Sequence, residues 1–235
     1  MVIERHRNSG ASMEIHKPKA AHSWREFLTE IGTITCGILI ALGLEQAVEQ
    51  VHWRDEVETE REALRDEAAE AVTTAAYRVA MEPCIAHRLA EIETGFRRQA
   101  RGQSLGFRQP VTGPPAWNAS TGSWEIALSG QALAHMPHKE KLAFSDAFDT
   151  YKAFDELRNE EGAVWRRLSL INHPDILAPG DWVELHQAYG QALGMNDRMK
   201  TITQYILEQA TLGHRPEKFE GIDQGRLAAF CTSIL

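Results

Sequence analysis

Three cysteines, Cys36, Cys84 and Cys231, and ten histidines are the side chains of this 235-residue sequence with the widest choice of chemistry. A cysteine can pair, ligate a metal or attack as a thiolate, and its neighbours decide which. Cys84-Ile-Ala-His87 and His135-Met-Pro-His138 each bring two metal-ligating types three positions apart. Pro137 interrupts the second pair, and neither pair is followed by a third ligand at metal-site spacing. The sequence contains no haem signature C-x-x-C-H, no H-E-x-x-H, no G-x-S-x-G elbow, no phosphate-binding G-x-x-x-x-G-K and no G-x-G-x-x-G. Carboxylate pairs such as Asp155-Glu156 and Glu160-Glu161 sit in a stretch dense in charge and read as a solvated helix face. No metal or other cofactor is expected, and no motif argues for an enzyme.

The segment "PPAWNASTGSWEIALSGQAL" crowds two indoles, an amide and several hydroxyls into one loop-to-helix junction. Aromatics among small polar groups are what ligand pockets and interface hot spots use. Trp117, Asn118, Trp124 and Ser129 are therefore the candidates for ligand or partner binding. The competing reading has both tryptophans plugging the end of a helical core while Asn118 and Ser129 cap helices.

Charge locates the element on which everything else hangs. Residues 1–25 carry a net +3, residues 26–53 contain four Glu and no Lys or Arg, and residues 54–82 carry a net −5. The total of −8 and a pI near 5.7 argue against a nucleic-acid partner. At the change of sign lies the one long apolar run, Ile31 to Leu44. Its 14 uncharged residues give about 21 Å of helix, short of the roughly 30 Å hydrocarbon core. Trp24 and Trp53 bracket it at a separation of about 44 Å in a helix, close to the full bilayer with its headgroups. Residues 24–53 are thus expected to cross a lipid bilayer, with a disordered basic cytoplasmic tail over 1–23 and a periplasmic domain over 54–235, by the positive-inside rule. A cleaved signal peptide, with small residues around Ala41-Leu42-Gly43, and a buried helix of a soluble protein are the competing readings. Thr33, Gly37 and Ala41 give the span one face of small side chains, suited to close association with another helix. With the span as an anchor, Cys84 and Cys231 are two thiols in an oxidising compartment and are expected to form a disulfide.

The remaining sequence is helical in pattern, and the expected fold class is all-α: a membrane helix running into a long charged helix, then a helical bundle. Val57, Leu64, Ala68, Ala71, Ala75 and Val79 recur at helical spacing until Pro83. Ile85, Leu89, Ile92 and Phe96 mark a second helix, and residues 102–122 a Gly/Pro-rich loop. Ser123 is expected to cap a short helix ending at Gly130, and Pro137 to start a long one through Leu168. Asp181 with Glu184 predicts a capping box for a last long helix, whose seam is Leu185, Ala188, Ala192, Met195, Met199, Ile202, Ile206 and Gln209, with Gly213 as its stop.

The stretch from Met13 to Glu67, with its Gly37-Ile-Leu-Ile-Ala-Leu42 helix before a charged helix, resembles the N-termini of uncharacterised bacterial single-pass inner-membrane proteins. "PCIAHRL" from Pro83 and "WNASTGSWEIALSG" from Trp117 resemble further segments of the same proteins, so the likeness covers about residues 13–155. It implies an anchor in a proteobacterial inner membrane and a start at Met13, and it implies no activity. The function expected is a non-enzymatic interaction or accessory protein that forms a homo-oligomer or joins another membrane protein. The alternative is a helical-bundle ligand sensor acting through a partner chain.

Overall fold

The computed structural model describes residues 23–115, 121–208 and 224–235, and the described residues form helices and no strand. In chain order these are α1 (Trp24–Ala80), α2 (Glu82–Gln99), α3 (Gly122–Ser129), α4 (Ala132–His135), α5 (His138–Leu168), α6 (Pro179–Glu208) and α7 (Gln224–Cys231). Two short 3-10 turns, Ser169–Asn172 and Pro174–Ile176, join α5 to α6. The chain divides into two compact units between His52 and Trp53.

In the first unit, α1 carries an 18-residue stretch long and apolar enough to cross a membrane, and none of it is buried. Ser23 opens the helix by accepting the Glu26 N–H at 3.3 Å. The Thr29 and Thr33 hydroxyls donate back to the carbonyls of Arg25 and Thr29 at 2.9 Å, so these polar groups are satisfied within the helix. Among the described residues, a Cβ added at Gly32, Gly37 or Gly43 would meet no atom within 4 Å.

In the second unit, one hydrophobic core gathers a stripe from each long helix. The rest of α1 contributes Val57, Leu64, Ala68, Ala71 and Ala75, and α2 contributes Ile85, Leu89, Ile92 and Phe96. On α5 the stripe is Phe144, Phe148, Tyr151, Phe154 and Leu157, spaced by four and then three residues, which keeps the rings on one face. These rings meet edge-on or tilted, with Phe148 and Tyr151 centroids 5.5 Å apart. On α6 it is Leu185, Ala188, Ala192, Met195, Met199 and Ile206. α5 and α6 pack along their lengths, and α2 packs on both α6 and α7.

Helix boundaries differ from expectation in three places, each for a local reason. Ser123 lies inside α3 and does not cap it; the N–H groups of Ser123 and Trp124 donate instead to Glu67 Oε2 of α1, at 2.9 and 3.3 Å. An ionised carboxylate is a stronger acceptor than a hydroxyl for these exposed helix donors. α6 begins at Pro179, because proline suits a first helical position. Asp181 therefore sits in the first turn, where its Oδ2 accepts the Ala178 N–H at 2.7 Å. Pro137 precedes α5 rather than entering it. The other boundaries fall as expected: Pro83 lies in the first turn of α2, with Met81 between the helices, and Gly130 ends α3, whereas Val79, expected on the buried stripe of α1, is exposed. Gln209 and Gly213 lie outside the described residues.

Candidate functional site

Helix α1 carries one arginine on its buried stripe, and the second unit is arranged around it. Arg78, 5% exposed, sends Nη2 to Glu161 Oε1 of α5 at 2.8 Å and to Asn196 Oδ1 of α6 at 2.7 Å. Its Nη1 donates to Glu82 Oε2 at 3.0 Å. Asn196 closes the ring by donating Nδ2 to Glu82 Oε1 at 2.8 Å, and Lys200 Nζ reaches the same oxygen at 2.8 Å. Four elements thus share one polar node, and two cations face two carboxylates within it. Burial pushes the Glu161 carboxyl above its usual range, and the Arg78 guanidinium only partly offsets this. Burial also acts upward on Glu82, but hydrogen bonds from Lys200, Asn196 and Arg78 outweigh it and hold that carboxyl below the usual range.

Beside this node lies a cavity of about 460 Å³. Its walls come from the end of α1 (Tyr77, Met81), the middle of α5 (Phe154, Trp165) and the extended segment Val111–Pro115. Asn172 pins that segment as a strand neighbour would, donating Nδ2 to the Val111 carbonyl at 3.0 Å and accepting the Val111 N–H at 2.7 Å. Gly113 then lies against Trp165, where an added Cβ would stand 2.6 Å from the Trp165 Cβ. Only glycine lets the backbone approach this closely. Arg78, Arg158, Glu161 and Arg166 bring charge to the lining.

A second polar clamp holds the C-terminus on α2. Arg88 donates Nη2 to the carbonyls of Phe230 and Thr232 at 2.8 Å and lies 5.1 Å from the Phe230 ring centre. Glu91 Oε1 accepts the Ile234 N–H at 3.0 Å and the Ser233 hydroxyl. Between them, Cys84 and Cys231 form a disulfide across 147 positions of sequence. Burial lowers the Arg88 pKa, opposed by Glu91.

Those residues singled out from sequence that the structure describes are dispersed. Trp124 stacks on Phe148 with centroids 5.4 Å apart, and Ser129 donates its hydroxyl to the Ile126 carbonyl at 2.7 Å. Neither lines the cavity. Trp117 and Asn118 lie outside the described residues. Thr33, Gly37 and Ala41 are exposed on α1, as is the free thiol of Cys36. His135 stacks on Trp53 at 4.1 Å, and the described residues hold no group of three or more His, Cys, Asp or Glu arranged for a metal ion. Arg78 and Asn196 were not singled out from sequence, and Glu161, expected on a solvated helix face, is instead 4% exposed and bonded to Arg78. Their signal is a polar side chain at an apolar phase: Glu161 stands four residues from both Leu157 and Trp165. Comparison of the chain with protein-family models, with curated proteins and with solved structures finds no match.

Proposed function

We propose that this chain is a bitopic inner-membrane protein of a bacterium, with a cytoplasmic N-terminus and a periplasmic helical-bundle domain that acts by binding rather than by catalysis. The observation that carries the reading is the unburied apolar stretch of α1, followed by a unit that holds a disulfide. Unburied apolar side chains over this length are stable in lipid and costly in water. The basic flank before the span and the acidic one after it favour the stated orientation. A disulfide between Cys84 and Cys231 suits a compartment that keeps thiols oxidised. The partner on this reading is a second copy or another membrane protein, engaged through the Thr33, Gly37 and Ala41 face. The cavity beside Arg78 favours a second reading, a ligand-sensing domain that works through a partner chain.

A membrane-impermeant maleimide applied to intact cells tests the orientation, with labelling read by intact mass. The expected result is two labels on Cys84 and Cys231 after reduction and none before it. Labelling of these thiols only after lysis, without reduction, would overturn the topology and return Ile31–Leu44 to a buried role.

A further inference from the structure

We infer that the cavity beside Arg78 binds a small organic monoanion, a carboxylate carried on an aromatic or alkyl body; the inference rests on the ligand-binding reading above. Volume and lining set the body of the ligand. About 460 Å³ lies within the range of small-molecule sites, and Met81, Phe154, Trp165, Pro114, Pro115 and Met199 supply apolar wall. A wholly polar ligand would leave those surfaces unmatched, because they offer no hydrogen bonds in exchange for its hydration.

Charge sets the head group. Of the charged groups on the lining, Glu161 is engaged by Arg78, and Arg158 is engaged by Asp155. Arg166 lines the same cavity, is exposed at its rim, and has no carboxylate partner among the described residues. The charge left unneutralised at the opening is positive. A planar guanidinium can take a carboxylate through two parallel N–H donors, a geometry that an amide cannot match and an ammonium opposes. An anion whose body occupies the apolar part and whose carboxylate meets Arg166 satisfies both halves of the site. The Val111–Pro115 segment, held by Asn172 and by the contact of Gly113 with Trp165, fixes one wall in advance, which lowers the ordering cost of binding.

The test uses the full chain in lipid nanodiscs and fluorine NMR of three matched probes: para-trifluoromethyl benzoate, its benzamide and its benzylamine. The benzoate is expected to broaden saturably, the amide to bind about tenfold more weakly, and the amine not at all. Arg166→Gln should bring the benzoate down to the level of the amide. Gly162→Leu should abolish binding of both the benzoate and the amide, since Gly162 lines the cavity and an added Cβ there meets only Arg166 Nη1, at 3.4 Å. Replacing a mid-helix glycine by leucine also favours the helix, so the variant is expected to fold, as circular dichroism will show. Equal binding of benzoate and amide, preference for the amine, no saturable broadening, or broadening that survives Gly162→Leu would each overturn the inference. These outcomes are independent of thiol labelling: failure here leaves the anchored partner-binding reading standing, and failure of the topology leaves this site standing.

Discussion

Glu140 and Glu161 are each paired with an arginine, yet their carboxyls shift in opposite directions. Arg61 meets Glu140 with two hydrogen bonds, at 2.5 and 2.9 Å, in a partly exposed setting, and those bonds hold the carboxyl below its usual range. Glu161, 4% exposed, loses so much hydration that Arg78 cannot recover it, and its carboxyl is pushed up. The two groups therefore act on stability with opposite pH dependence. Lowering a carboxyl's folded pKa gives stability that is present above the unfolded value and lost as pH falls through the folded one. Raising it gives stability that is lost as pH rises through the folded value. For the partly buried Arg61–Glu140 pair this predicts that Glu140→Gln lowers the unfolding midpoint at neutral pH by the equivalent of about 0.5–1 kcal/mol. The difference should vanish as pH falls below Glu140's lowered pKa, where the wild-type carboxyl is as neutral as the amide. Thermal unfolding of the full chain in nanodiscs, followed by circular dichroism across an acid series, will measure the convergence.

Among the elements, α7 depends most on contacts made far away in sequence. It is an eight-residue helix, too short to persist alone, and it is held by Cys84, Arg88 and Glu91 of α2 through a disulfide, two carbonyls, a hydroxyl and an N–H. Phe230 and Ile234 are buried as a result. Cys231→Ser is expected to cost up to ~5 kcal/mol in the chain-entropy picture, because the lost bridge spans 147 positions of sequence. Hydrogen exchange should rise first in residues 224–235, with α5 and α6 protected longest; uniform loss of protection would show that the clamp holds the whole core. The stripe of α2 and the seam of α6 were legible because local periodicity encodes which face is buried, and the cysteine pairing because two cysteines beyond an anchor are expected in an oxidising compartment. The cap on α3 was not, since Glu67 lies 56 residues before Ser123 and no local rule links them. The same holds for the polar node: Glu161 and Asn196 lie 83 and 118 positions from Arg78 and meet it only through tertiary packing. A polar residue at an apolar phase marks a buried polar site without naming its partner, and Trp124, singled out from sequence, does not line the cavity beside it.

At the scale of the whole molecule, the exposed face of α1 is the part whose physics the chain leaves unfinished. Elsewhere glycine fits because something is close, as at Gly113 against Trp165, whereas Gly37 has open space where its side chain would be. A mid-helix glycine weakens a helix by about 0.5–1 kcal/mol relative to alanine, and among the described residues no contact offsets that cost. In lipid, where helices gain nothing from hiding apolar surface, small residues instead allow a second backbone to approach closely. On the proposed reading, Gly37→Ile removes that approach while leaving the second unit untouched. Oxidative cross-linking through Cys36, the neighbouring free thiol, should trap a dimer of the wild-type chain in membranes and fall by about tenfold in the variant, corresponding to ~1–2 kcal/mol of helix association. The thermal midpoint of the helical unit should stay within error of wild type. Cross-linking that is unchanged by Gly37→Ile would remove the small-residue face as the basis of self-association, whereas a fall in both cross-linking and midpoint would mean that Gly37 supports the fold of its own chain.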